Sequence, residues 1–368
     1  MKNKHLYIHI PFCKYICSYC DFCKKYVNNY NLDTYLDYLD QELSMYDDYQ
    51  DIETIFIGGG TPSVLDIKQI AKLKNILTKY INFNQIKEFS FEMNPDDINQ
   101  KCLLALKDLG VNRLSIGIQT LNNHILSLLG RKYSKKDVET NIKIATSIFD
   151  NVSCDFMFNL PTQILDDLDQ VFAFIKDNPE IKHISFYDLI VEEHTILGNQ
   201  DYHYLSEEEE SNWYKYLQEQ LHNLGFSQYE ISNWAKDNSY QSQHNLGYWR
   251  IEDYIGIGLS SSSCYQGYRY TNTYSIKEYY QALDNKHLPI KDYEEFGKYE
   301  QAYDTIMLGL RTSEGIDEKV VENFSLKKEF FATINKRVRI KDEYYFVSNS
   351  LILELLMQLE EKWQILES

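Results

Sequence analysis

An α/β fold built on a parallel sheet is predicted by three observations. Short apolar stretches alternate with amphipathic helical patterns through the first half, turn residues close each stretch, and four of the six prolines fall just past a predicted strand. The strands are predicted at 5–10, 53–58, 87–92, 113–118, 152–158 and 183–190, with helices near 31–46, 66–80, 98–109, 135–149 and 166–177. In the second of those helices Ile67, Ile70, Leu73, Leu77 and Tyr80 keep one face apolar. Six strands alternating with helices imply a sheet that is open or curled into a partial barrel, with ligand groups at the carboxyl ends of the strands. Pro11, Pro62, Pro95 and Pro161 stand at those ends with Gly, Glu, Asn or Asp nearby. A proline by itself merely ends a strand, but four such motifs in series predict one functional edge.

Near 196–210 the pattern turns polar and acidic, and Ser206 followed by Glu208, Glu209 and Glu210 reads as a helix start. Beyond it, strands are predicted at 226–232, 254–259 and 343–348, and helices near 207–224, 299–312 and 350–361. The expected organisation is a core over 1–200, an α+β extension over 201–298 and a small helical, winged-helix-like appendage over 299–368.

Composition narrows the function classes. With 43% hydrophobic and 14% aromatic residues the 368-residue chain can bury a core and is no disordered acidic tail. A net charge of −18, from 37 Lys and Arg against 55 Asp and Glu, argues against gripping nucleic acid or an anionic membrane through the overall field. No stretch approaches the ~20 apolar residues of a membrane span. The first residues lack the apolar run and cleavage site of a signal peptide, so a soluble cytoplasmic protein is expected.

Four of the seven cysteines lie within eleven residues: Cys13, Cys17, Cys20 and Cys23, spaced C-x3-C-x2-C-x2-C after the first strand. An odd count without a secretory signal does not suit a disulfide framework. A structural zinc site draws two ligand pairs from separate places, and no second Cys/His pair is evident. Three thiolates on one short loop suit a cubane iron–sulfur cluster, leaving one iron open to an exogenous ligand. A structural zinc protein is the competing reading, and elemental analysis separates the two.

The C-x3-C-x2-C loop, with Tyr7-Ile8-His9-Ile10-Pro11-Phe12 before it, resembles the radical S-adenosylmethionine (SAM) superfamily and, within it, the oxygen-independent coproporphyrinogen III dehydrogenase group. The resemblance implies a partial (βα)6 barrel with a C-terminal α+β extension. It also implies a [4Fe–4S] cluster on Cys13, Cys17 and Cys20, with SAM chelating the fourth iron and Cys23 outside the ligand set. Ile57-Gly58-Gly59-Gly60-Thr61-Pro62 resembles the motif whose backbone meets the SAM amino group, through Gly59, Gly60 and Thr61. Tyr7, Tyr19, Glu92, Gln119, Arg131 and Asp155 resemble the remaining SAM contacts, with Arg131 on the carboxylate and Asp155 on the ribose.

Beyond the barrel the resemblance favours the heme-chaperone branch of that group, HemW. Asp21-Phe22 follows the third ligand, and His244-Asn245-Leu246-Gly247-Tyr248-Trp249 is similar to that branch's HNxxYW pattern. An imidazole can ligate heme iron and aromatic rings can pack the macrocycle, so His244 is the candidate for handling heme, ahead of His9, His194 and Cys23. Where HemW has a Gly-Ala-His-type turn this chain reads Gly258-Leu259-Ser260-Ser261-Ser262-Ser263, nearer the dehydrogenase, which bears on substrate more than on SAM. The histidine that often follows Leu-Gly-Arg is Tyr133, and Glu-Pro-Gly-Thr is replaced by Glu192-Glu193-His194-Thr195.

The implied function is a heme chaperone that binds a [4Fe–4S] cluster, SAM and heme as cargo. It would deliver heme to respiratory hemoproteins at the membrane, without nucleic acid, in a form that allows a homodimer and peripheral contact with the membrane's inner face. The alternative is an enzyme, an oxygen-independent coproporphyrinogen III dehydrogenase that uses SAM for oxidative decarboxylation.

Overall fold

The computed structural model describes residues 4–200 and 205–367. The six predicted strands form as β1 His5–Ile10, β2 Thr54–Gly59, β3 Glu88–Met93, β4 Arg113–Gln119, β5 Asn151–Phe158 and β6 His183–Asp188. Between them run α1 Leu32–Leu43, α2 Ile67–Leu77, α3 Gln100–Leu109, α4 Asn123–Leu128, α5 Lys135–Thr146 and α6 Leu165–Asp177. The helix starts are written locally. Asn31, Asp66, Asn99, Asn122 and Ser134 each accept a first-turn backbone N–H through the side chain.

The second half gives α7 Glu207–Asn223, β7 Ser227–Glu230, β8 Asn233–Ala235, α8 Gln243–Trp249 and β9 Tyr254–Ile257. It continues with β10 Ser262–Tyr265, β11 Tyr268–Asn272, α9 Ile276–Asp284, β12 Ile290–Glu295 and α10 Lys298–Gly309. The last elements are β13 Ile316–Asp317, β14 Phe331–Ile334, β15 Arg337–Ile340 and α11 Ser348–Glu367. Strand β9 pairs in parallel with β1, so the parallel order is β9-β1-β2-β3-β4-β5-β6. Antiparallel β8 and β7 extend one edge, and β10, β11 and β12 the other. This is the mixed α/β fold with a central parallel sheet that the strand–helix alternation predicts. The transition expected near 196–210 includes residues 201–204, which lie outside the described residues.

Several elements depart from expectation. The strand expected at 343–348 is instead the 3-10 helix Asp342–Val347, with Ser348 opening α11. The consecutive apolar residues Tyr344 to Val347 fit either state, and the acidic pair Asp342 and Glu343 in the first turn leads into α11. The pattern also misses β8 and β10 to β15; tight turns set the register of β10 with β11 and of β14 with β15. Gln266-Gly267 and Asn335-Lys336 carry positive φ at both central positions, the twist a two-residue hairpin needs. Among the described residues no helix is long and apolar enough to cross a membrane.

Inside the sheet each strand splits by the period of two. Leu6, Ile8, Ile55, Ile57, Phe89, Phe91, Leu114, Ile116, Val152, Phe156, Ile184 and Phe186 are buried and belong to the main hydrophobic core. The alternate positions Tyr7, Phe56, Glu92, Arg113, Ser115, Asp155, Ser185 and Tyr187 line a cavity. One face of the sheet is therefore packed and the other is largely polar.

A buried carboxyl ties the helix after the cysteine loop to the extension. Glu42 on α1 accepts from the Tyr279 hydroxyl at 2.5 Å, Gly258 N at 2.8 Å and Asn272 Nδ2 at 2.6 Å. Burial outweighs these three bonds and raises its pKa to about 7. The folded state holds this proton more tightly than the unfolded chain does. Its contribution is complete below pH ~4.5 and is lost as pH rises through about 7, roughly 3 kcal/mol in all. Glu42→Gln should therefore gain on the wild type by about that amount between pH 5 and pH 8. Parallel pH-dependent melting curves for the two proteins would contradict this.

Candidate functional site

The four cysteines sit on a clasped loop. Just past β1, Phe12–Cys13 pairs in parallel with Lys25–Tyr26, and Lys25 N donates to Pro11 O at 2.7 Å, so both ends of the loop are pinned together. Its middle docks on the turn after α4: Ser18 N reaches Leu129 O at 3.1 Å and the Ser18 hydroxyl reaches Leu128 O at 2.9 Å. Leu197 N donates to Ser18 O at 2.8 Å from the far side. All seven cysteines are free thiols. Cys13 is buried and Cys17, Cys20 and Cys23 are half-buried.

The donor set fits an iron–sulfur cluster. Three thiols lie on one short loop, and burial pushes Cys13 up to about 11 despite the Thr61 hydroxyl 3.5 Å from its sulfur. Burial raises Cys17 as well, while the charges of Arg131 and Lys24 act against that rise and favour a thiolate. Gly60 lets its backbone pack directly against Cys13, since a Cβ there would stand only 2.9 Å from the sulfur and 2.7 Å from the Pro11 carbonyl carbon. Among the described residues no three His, Cys, Asp or Glu side chains converge as the ligands of a single metal ion do. Cys23 differs from the other three in that its carbonyl oxygen faces His9 Nε2 at 3.2 Å.

The glycine motif closes against the same loop. Gly59, at φ 117°, donates its N–H to Glu92 Oε2 at 3.0 Å, and a Cβ there would lie 2.7 Å from the His9 ring. The missing Cβ atoms at Gly59 and Gly60 thus serve the protein's own close packing. Thr61, besides facing Cys13, is 3.4 Å from Asn94 Nδ2.

Arg131 is held between Tyr19 and Asn94. Its Nη1 donates to Asn94 Oδ1 at 2.7 Å and its Nη2 to the Tyr19 hydroxyl at 2.6 Å. Its guanidinium carbon is 5.9 and 5.8 Å from the Tyr19 and Tyr133 ring centres. The buried Nε has no protein partner, so one N–H of a buried cation is left for a ligand oxygen. Gln119 adopts φ 70° at the end of β4, and the Tyr133 hydroxyl donates to the neighbouring carbonyls of Gly117 and Ile118.

The structure brings Tyr7, Glu92, Asp155 and His244 together around one cavity of about 210 Å³. Asp155 accepts from the Ser115 and Ser153 hydroxyls at 2.9 and 3.1 Å. Burial, and then the neighbouring Asp155 charge, lifts Glu92 to about 8. The Tyr7 hydroxyl is 2.9 Å from His9 Nδ1. Sequence reasoning did not single out Arg113, Ser185, Tyr187 or Asn245, which line the same cavity. The signal available was the polar period of two: Arg113 and Ser115, Ser153 and Asp155, Ser185 and Tyr187.

His244 lies on α8, a short helix across the amino-terminal ends of the strands, with Tyr248 one turn on and on the same face. It is 1% exposed, and both ring nitrogens are engaged: Nδ1 with Thr54 Oγ1 at 2.7 Å and Nε2 with the Tyr248 hydroxyl at 2.7 Å. As folded, it offers no free lone pair to an iron. His194 is exposed and pairs with Asp21.

The radical SAM superfamily model matches residues 7–175. The chain is 38% identical over 325 residues to the heme chaperone HemW of Bacillus subtilis, covering 86% of this chain and 85% of that protein. It is 33% identical over 333 residues to the heme chaperone HemW of Lactococcus lactis, covering 89% and 85%. The solved structure of coproporphyrinogen III oxidase (HemN) from Escherichia coli superposes with a TM-score of 0.82 over 97% of this chain and 90% of that one, at 20% identity. The fold is therefore shared with HemN, while the near full-length identity places the sequence itself: the chain belongs to the HemW family of the radical SAM superfamily.

Proposed function

We propose that this protein is a heme chaperone that binds a [4Fe–4S] cluster and SAM in its barrel and carries heme to hemoproteins. The observation that carries the reading is the 38% identity, along most of both chains, to a protein named for that role. Cys13, Cys17 and Cys20 hold the cluster on their clasped loop. Tyr19 and Arg131 meet the SAM carboxylate, Gly59, Gly60 and Thr61 its amino group, and Glu92, Gln119, Asp155 and Tyr7 its remaining polar edge. When bound, the cluster supplies electrons one at a time to SAM. The loop's docking on α4 keeps the thiols in place, and Arg131, with one N–H to spare, orients a carboxylate. Delivery to respiratory hemoproteins at the membrane, and a homodimer, belong to the same proposal.

Heme is bound outside the barrel cavity. About 210 Å³ lies below the ~300–1,000 Å³ of pockets that take drug-sized ligands, and a tetrapyrrole is no smaller than those. The test is an anaerobic heme titration of the cluster-reconstituted protein, followed by its Soret absorption, beside His244→Gln. Glutamine can keep bonds to Thr54 and Tyr248 yet replaces the imidazole. A saturating shift in both proteins is expected. Saturation lost only in the variant would return iron ligation to His244, and no saturation in either would overturn the chaperone reading in favour of coproporphyrinogen decarboxylation.

A further inference from the structure

The floor of the barrel holds a continuous chain of side chains between the cavity and solvent. Strand register sets His5 beside Thr54 at the amino-terminal ends of β1 and β2, and α8 lies across them. The Tyr248 hydroxyl meets His244 Nε2 at 2.7 Å, and His244 Nδ1 meets Thr54 Oγ1 at 2.7 Å. Thr54 Oγ1 meets His5 Nδ1 at 2.8 Å, and His5 Nε2 meets Glu252 Oε2 at 2.8 Å. Tyr248 and His244 line the cavity, whereas Glu252 is partly exposed and also accepts from Lys4 at 3.1 Å. Every gap is a short hydrogen bond, every interior member has a group that can donate and one that can accept, and the two ends open on different spaces.

We propose that Tyr248, His244, Thr54, His5 and Glu252 form a proton relay joining the cavity to solvent at the amino-terminal ends of the strands. The carboxylate sets the sense of the chain, because the bonds from His5 and Lys4 hold Glu252 down at about 2 and make it an acceptor. His5 then carries its proton on Nε2, Thr54 donates to His5 Nδ1, His244 donates from Nδ1, and Tyr248 donates to His244 Nε2. Burial, and then His5, keep His244 neutral. In one passage Tyr248 gives its proton to His244, His244 gives the Nδ1 proton to Thr54, Thr54 gives its hydroxyl proton to His5, and His5 gives the Nε2 proton to Glu252. Tyr248 is refilled from the cavity and Glu252 releases to water. One proton crosses and no electron moves. The cavity has room for several waters, at roughly 30 Å³ each, to feed Tyr248. Charge arriving beside the cavity would then be balanced by a proton taken from or lost to solvent at Glu252. The relay holds whatever the cargo of the protein.

The test uses the full chain labelled with 15N-histidine. Ring nitrogen shifts should give the Nδ1–H tautomer for His244 and the Nε2–H tautomer for His5. Exchange of the His244 ring N–H with solvent should slow about tenfold or more in Thr54→Val, the factor that ~1.4 kcal/mol of added barrier produces. It should recover in Thr54→Ser, which restores the hydroxyl. Glu252→Gln decides the matter, since an amide oxygen still accepts from His5 but cannot take up its proton, and its half-exposed position spares the fold. Slowed exchange in that variant supports the relay. Unchanged exchange, or an Nε2–H tautomer at His244, would show a static set of hydrogen bonds and overturn it.

Discussion

Replacing Cys13, Cys17 or Cys20 by alanine should take the reconstituted protein from about four irons per chain to almost none, whereas Cys23→Ala should keep its iron. Three thiolates leave one iron to an exogenous ligand, so losing any of them leaves the cubane with too few protein ligands. The loop itself survives the substitutions, because it is held by backbone pairing at residues 12–13 and 25–26 and by Ser18, none of which uses a sulfur. Cys23 follows the three, its carbonyl taken by His9 and its side chain packed against the core. Iron and sulfide analysis checks each variant, and equal loss in Cys23→Ala would sink the assignment of ligands. The burial that lifts the Cys13 thiol to about 11 means that cluster assembly must displace its proton, so reconstitution should improve as pH rises.

Arg131→Lys should weaken SAM binding about 10- to 100-fold while leaving the iron content unchanged, the effect of losing hydrogen bonds to a charged group. The guanidinium spends Nη1 on Asn94 and Nη2 on Tyr19 and keeps Nε free. A lysine ammonium cannot bridge Asn94 and Tyr19 and still face a carboxylate, because its donors radiate from one point on a flexible stem. Equilibrium dialysis of SAM against the cluster-loaded protein measures the change. Unaltered affinity would remove Arg131 from the SAM site and leave its free N–H as a feature of packing.

Much of the candidate site is legible in the chain because it is local. The cysteines are neighbours in sequence, so spacing carries the cluster loop, and each strand ends in its own short motif, on which the family resemblance assigns the glycine turn and Glu92, Gln119 and Asp155. The role of the His244 segment is not legible in that way. Its spacing of four puts His244 and Tyr248 on one helical face, but whether that face meets a heme or the barrel floor depends on residues 190 and more positions away, Thr54 and His5. Arg113 is similar: a buried arginine in a strand reads as polar noise until Glu92, Asp155 and Ser185 are seen to line the same cavity.

The sequence by itself determined the six strand–helix units, the cysteine loop and the family, since helix caps, the period of two and motif spacing act over a few residues or one strand length. Only the tertiary structure decided that the parallel sheet continues through β9 beside β1, that Glu42 is buried under the turn at Gly258, and that both nitrogens of His244 are spent inside the floor. The pairings of β9 with β1, of Glu42 with Gly258 and of His244 with Thr54 join segments about 190 to 250 positions apart, chosen by packing and by the need to satisfy buried polar groups, and no local pattern encodes that choice.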